Sequence, residues 1–175
     1  MWPLRWKSSP SHLINERPLR HPGSLTAHLA RMGGEVEVEV LESRIRPASW
    51  EEVQGLGLSR PRVRVFVRAV CVRRQGEIAV LAKSVTTLAG VKHPWRRLKR
   101  LGNRPLATLL WSDPRIRRGA FQYLRLGSGH PWPRQVGLSE ALPVRRSCFW
   151  LKETPLLVTE AFVGLPWHQN ILDPA

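Results

Sequence analysis

Arg62-Val63-Arg64-Val65-Phe66-Val67-Arg68-Ala69-Val70-Cys71-Val72 runs into Arg73-Arg74-Gln75-Gly76-Glu77 and then Ile78-Ala79-Val80-Leu81-Ala82-Lys83-Ser84-Val85. Both flanks are apolar and β-rich, and the glycine stands between them. Two such runs joined by a Gly-containing turn predict a β-hairpin. Upstream, Glu35-Val36-Glu37-Val38-Glu39-Val40 alternates strictly, so a strand there shows valines on one face and glutamates on the other. Downstream, residues 121–126, 145–151 and 155–163 read as three further strands, with a Gly- and Pro-rich stretch over 127–143.

The helical signals are short. Leu25, Leu29 and Met32 fall at i, i+4 and i+7 behind Ser24, which can cap the free amides, and Gly33-Gly34 stops the run. Trp95, Leu98 and Leu101 suit a short basic helix, and Asn103-Arg104-Pro105 supplies a cap residue and a first-turn proline for another. Strands in tight succession, without the strand and long-helix alternation of a parallel sheet, predict an α+β domain built on a single antiparallel sheet of about six strands. Residues 1–22 carry Pro3, Pro10, Pro18 and Pro22 with no sustained period and read as an irregular leader; 23–175 read as one domain.

A chain of 175 residues buries roughly two-thirds of its unfolded surface and needs no disulfide or structural metal to fold. The apolar runs 78–82 and 155–158 are far shorter than the roughly 20 residues of a membrane span. The N-terminus lacks an apolar h-region, so the cytoplasm is the expected location. Lys plus Arg total 28 against 13 Asp plus Glu, a formal charge of +15. That excess suits a nucleic-acid surface, an anionic small molecule, or solvated faces. The densest groups, Arg60–Arg64, Arg96–Arg100 and Arg115–Arg118, are short and scattered, which favours solvated faces. Cys71 and Cys148 are isolated, and the six histidines show no HxxxH or HExxH spacing, so no metal site is expected.

Two charges stand where a sheet should be apolar. Period 2 puts Glu160 on one face with Leu156, Val158 and Phe162, and Arg68 on one face with Phe66 and Val70. Each needs a partner, a ligand or a solvated face. Two Gly-containing turns that open helices, Gly23-Ser24-Leu25 and Leu101-Gly102-Asn103-Arg104-Pro105-Leu106, present free amides that serve as ordinary caps or receive an anion.

Gly23-Ser24-Leu25-Thr26, Val67-Arg68, Leu101-Gly102-Asn103-Arg104-Pro105-Leu106, Arg145-Arg146-Ser147 and Pro155-Leu156-Leu157-Val158-Thr159-Glu160-Ala161-Phe162, in this order and at these intervals, resemble the chorismate pyruvate-lyase family. The resemblance spans residues 23–163 and is most specific at 101–106 and 155–160. It implies helical flaps over an internal ligand, and cofactor-free cleavage of chorismate to 4-hydroxybenzoate and pyruvate for quinone biosynthesis of the ubiquinone type. It implies that Arg68 grips the ring carboxylate with the amides of Leu25 and Leu106, and that Glu160 meets the hydroxyl end, as proton acceptor or as orienting group. Lys83 stands where the family commonly has Arg, which makes it a possible point-charge contact for an anion. Ala107, Val144 and Ala161 also depart from the family pattern. A monomer acting on a small molecule is expected. Two alternatives stay open: a non-catalytic effector-binding domain of similar fold, and a basic nucleic-acid-binding protein.

Overall fold

The computed structural model of the protein describes residues 4–11, 13, 16–60 and 62–164. Seven strands form one antiparallel sheet: β1 (Val36–Pro47), β2 (Arg64–Arg74), β3 (Glu77–Thr87), β4 (Arg117–Arg118), β5 (Gln122–Leu126), β6 (Leu142–Leu151) and β7 (Thr154–Phe162). Their order is β1-β2-β3-β7-β6-β4, and β5 pairs with β6 beside β4. The expected hairpin is β2–β3. Its two-residue turn places Gln75 at φ 51° and Gly76 at φ 81°, the left-handed pair that matches the twist of the flanking strands and for which glycine carries no Cβ penalty. The strand expected over 35–40 continues to Pro47 past an irregularity at Val40/Glu42, and the two-residue β4 raises the strand count from six to seven.

Short helices decorate both faces: α1 (Glu16–Arg20), α2 (Leu25–Arg31), α3 (Trp50–Gly55), α4 (Leu88–Lys92), α5 (Ala107–Leu110) and α6 (Pro131–Arg134), with a 3-10 turn over Arg96–Arg100. Ser24 caps α2 by accepting from the Ala27 amide, as its sequence suggests. Asn103 does not cap α5; that helix starts at Ala107 behind Leu106 and has no side-chain cap.

Alternation along β2 separates two cores. Val70 and Val72 pack with Val80, Phe162, Leu25 and Leu29 on the front face, and Phe66 packs there with Trp95, Leu98, Leu109 and Phe149. Val65 and Val67 face the reverse with Val85 and Leu157, and Cys71 does so with Leu81, Leu124 and Trp132. Both faces are covered over the middle of β2, β6 and β7, so a charge there has no solvated side to turn to, whereas Glu37 and Glu39 on the edge strand β1 stay exposed.

Residues 1–22 were expected to be an irregular leader. In the described part, Lys7 bridges to Tyr123, α1 forms, and Leu13 and Leu19 are buried in the front core. Two apolar side chains without helical period gave no sign of this, because their partners lie on the sheet and on α2. No helix among the described residues is long and apolar enough to cross a membrane.

Candidate active site

Cross-strand register assembles the site. One row runs Val70 (β2), Ala82 (β3), Glu160 (β7), Arg145 (β6); the next runs Arg68, Ser84, Val158, Ser147. Arg68 and Glu160 are therefore two strand spacings apart, about 10 Å across the sheet, and one side-chain repeat apart along it, about 7 Å. All of these side chains rise from the front face. A cavity lies over them, roofed by the start of α2 (Ser24, Leu25, Thr26) and by the 105–111 segment (Pro105, Leu106, Leu110, Trp111). Its floor is otherwise apolar: Val38, Val70, Val72, Val80, Ala82 and Val158.

Arg68 is only 2% exposed. Its Nη2 donates to the carbonyls of Gly102 at 2.8 Å and Arg104 at 2.9 Å, tying the 101–106 loop to the sheet. Gly102 sits at φ 54°, a turn that brings its carbonyl to the guanidinium. Arg68 Nε is buried without a partner, and no carboxylate lies within ion-pair distance among the described residues. Burial without a counter-ion pushes its pKa down to about 10. A buried cation in this condition can receive an anion in the cavity.

Glu160 does have a partner. Its Oε2 accepts from Arg145 Nε at 2.6 Å, and Arg145, 1% exposed, also donates to the carbonyls of Leu19 and His21. The Glu160 Oε1 atom has no hydrogen-bond partner among the described residues and remains available to an incoming hydroxyl. The sequence expectation of an isolated charge in an apolar strand is thus half answered. The ion pair comes from Arg145, directly opposite on β6.

Leu25 and Leu106 both line the cavity. The amides of Leu25 and Thr26, in the first turn of α2, have no acceptor within the helix. The Leu106 amide finds no acceptor among the described residues. Four of the expected site residues, Arg68, Glu160, Leu25 and Leu106, therefore share one cavity.

Lys83, the possible anion contact, does not join them in this cavity. Ala82 and Ser84 face the front, so alternation turns Lys83 to the reverse face, where Nζ pairs with Glu52 Oε1 at 3.1 Å and stands over the Trp132 ring. Two cavity residues escaped sequence reading. Arg145 carried the same signal as Glu160, a charge inside a strand, but it adjoins Arg146, which faces the opposite side. Arg118 ends the Arg115–Arg118 cluster that reads as a solvated face. Among the described residues, no three His, Cys, Asp or Glu side chains group as a metal site.

A sequence model described as chorismate lyase matches residues 7–171 of this chain. A protein of Albidiferax ferrireducens described as a probable chorismate pyruvate-lyase is 37% identical over 158 residues, covering 83% of this chain and 80% of its own. One of Bordetella pertussis with the same description is 36% identical over 156 residues, covering 85% and 81%. Among solved structures, the effector domain of PhnF from Mycobacterium smegmatis superposes with a TM-score of 0.59 at 11% identity, over 81% of this chain and 89% of that one. The C-terminal domain of a histidine utilization repressor from Pseudomonas syringae pv. tomato gives 0.55 at 13%, over 74% and 92%. At these identities the likeness to regulators is one of fold.

Proposed function

From a chain that belongs to the chorismate lyase family, we infer a lyase that cleaves chorismate to 4-hydroxybenzoate and pyruvate and so supplies quinone biosynthesis of the ubiquinone type. The observation that carries the site assignment is Arg68, a buried guanidinium with an unpartnered Nε and, among the described residues, no carboxylate within ion-pair distance, at one end of a largely apolar cavity whose other end holds Glu160.

Arg68 takes the ring carboxylate in a charge-assisted contact, and the amides of Leu25 and Leu106 complete its recognition. The ring lies over the valine floor. Glu160 Oε1 faces the 4-hydroxyl, with Arg145 fixing the carboxylate in place. Cation at one end and acceptor at the other read the ligand's length and polarity together. Loss of the C4 proton with the enolpyruvyl ether makes the ring aromatic, so the protein's part is to orient the ring, exclude water and offer Glu160 near C4 as acceptor.

A monomer acting on a small molecule stays part of this reading. A small anionic ligand gives the positive cavity a use that requires no nucleic acid. The cytoplasm is the location this function fits.

The test is to incubate purified protein with chorismate after exhaustive chelation and to measure both products. Equal amounts of 4-hydroxybenzoate and pyruvate are expected. Untouched chorismate, or activity that vanishes with EDTA and returns with a metal, contradicts the cofactor-free lyase. DNA or RNA binding without turnover would favour the alternative that the +15 charge raises.

A further inference from the structure

The cavity holds more positive charge than a ring carboxylate uses. Arg118, at the end of β4, lies on its wall beside the Glu160 end. Its Nε donates to Ser147 Oγ at 3.1 Å and its Nη1 to the Pro22 carbonyl. The guanidinium stacks over the Phe121 ring at 3.7 Å, and Arg145 lies over that same ring at 4.5 Å. Arg145 is committed to Glu160 and two carbonyls, whereas Arg118 has no carboxylate within ion-pair distance, and its Nη2 no hydrogen-bond partner, among the described residues. Three guanidiniums thus meet one carboxylate. Burial, and then the neighbouring Arg145, pull the Arg118 pKa down to about 10 against the opposing attraction of Glu160.

Chorismate has a second carboxylate. It sits on the enolpyruvyl ether at C3, next to the C4 hydroxyl. With the ring carboxylate at Arg68 and the hydroxyl at Glu160, that ether leaves the ring beside the Arg145–Glu160 pair, where Arg118 stands. We propose that Arg118 binds the enolpyruvyl carboxylate and thereby distinguishes the substrate from 4-hydroxybenzoate, which lacks that group. The assignment rests on the lyase function above.

The chemistry gives Arg118 a role in the rate as well. A base removes the C4 proton, the C–H electron pair becomes the C3–C4 π bond, and the C3–O bond breaks with its pair leaving on the enolpyruvate oxygen. A proton taken up at the methylene carbon then yields pyruvate. Negative charge grows on the departing fragment, and Arg118 is already fixed beside it by Ser147, Pro22 and Phe121, so it need not reorganise as the bond breaks.

The experiment uses 4-hydroxybenzoate, the stable dicarboxylate 3-(1-carboxyethoxy)benzoate, and that compound's side-chain methyl ester, by calorimetry, alongside chorismate turnover. Wild type is expected to bind the dicarboxylate at least about tenfold tighter than the ester. In Arg118→Met, which keeps an apolar stem against Phe121, the two should bind alike, 4-hydroxybenzoate should bind as in wild type, and kcat/KM for chorismate should fall at least about tenfold. Arg118→Lys should recover part of the discrimination, and it serves if the Met variant fails to fold. Equal losses for all three ligands would make Arg118 a structural residue, and absence of discrimination in wild type would overturn the assignment outright. Wild type that binds the dicarboxylate but leaves chorismate intact would sink the lyase function; turnover without a preference for the dicarboxylate would sink only the role of Arg118.

Discussion

Arg68 lies among valines with two carbonyls on one nitrogen and an unpartnered Nε. Replacing it by Met fills the volume and removes the charge. Arg68→Met should weaken 4-hydroxybenzoate binding at least tenfold, since truncating one partner of a buried charge pair typically costs about 2–5 kcal/mol. The empty protein should lose little stability, because a buried cation without a counter-ion is itself costly. Titration calorimetry and urea unfolding read the two effects separately, and unchanged affinity would return Arg68 to a structural role. Glu160→Gln keeps the size and removes the charge that Arg145 faces. Single-turnover cleavage should fall at least about tenfold, the lower end of general-base contributions being about a hundredfold. Preference for 4-hydroxybenzoate over benzoate should weaken with it. Full turnover with intact selectivity would leave Glu160 as nothing more than the counter-ion of Arg145.

At the scale of elements, the reverse face is held by a side chain that serves three of them. Glu52, on α3, accepts from both Nη atoms of Arg46 on β1, from the Ser49 amide that precedes its own helix, and pairs with Lys83 on β3. Burial alone would raise its pKa, but Arg46, Lys83 and the Ser49 amide outweigh burial and hold it at about 2, against an ordinary 4.5. The folded state therefore binds that proton less readily than the unfolded chain. The stability this contributes is fully present above pH 4.5 and lost as pH falls through about 2, a span worth roughly 3 kcal/mol. Urea midpoints should drop across that window in wild type and respond less in Glu52→Gln. Equal pH dependence in the two proteins would show that other carboxylates govern acid unfolding. The Ser49-to-Glu52 spacing is a capping box that sequence alone contains, yet α3 went unread because six residues give no amphipathic period. The β2–β3 hairpin and β7 were legible because long β-branched runs and a glycine turn act locally. Lys83 could not be separated from the cavity residues by sequence, because family position says which strand a residue is on, whereas the pleat decides which face it sees. Arg118 was hidden for a related reason: its cluster is charged along the sequence, but its side chain is sorted by pairing with Phe149 across β6.

At the scale of the whole molecule, two cores lie back to back, and the front face and its short helices enclose a largely apolar chamber whose lining includes three guanidiniums and one carboxylate. In thermal terms, that chamber couples occupancy to stability. An occupant that supplies both apolar ring and negative charge should raise the melting temperature. At a hundredfold excess over Kd the gain is about 2.7 kcal/mol, or roughly 5–10 °C for a chain of this length. Scanning calorimetry should rank 4-hydroxybenzoate above benzoate, with pyruvate near zero; an unmoved melting point under saturating 4-hydroxybenzoate would mean that the chamber is not where it binds. Resistance to proteolysis follows the same equilibrium, so the lifetime of this protein in a protease-rich setting becomes a gauge of how much aromatic acid surrounds it.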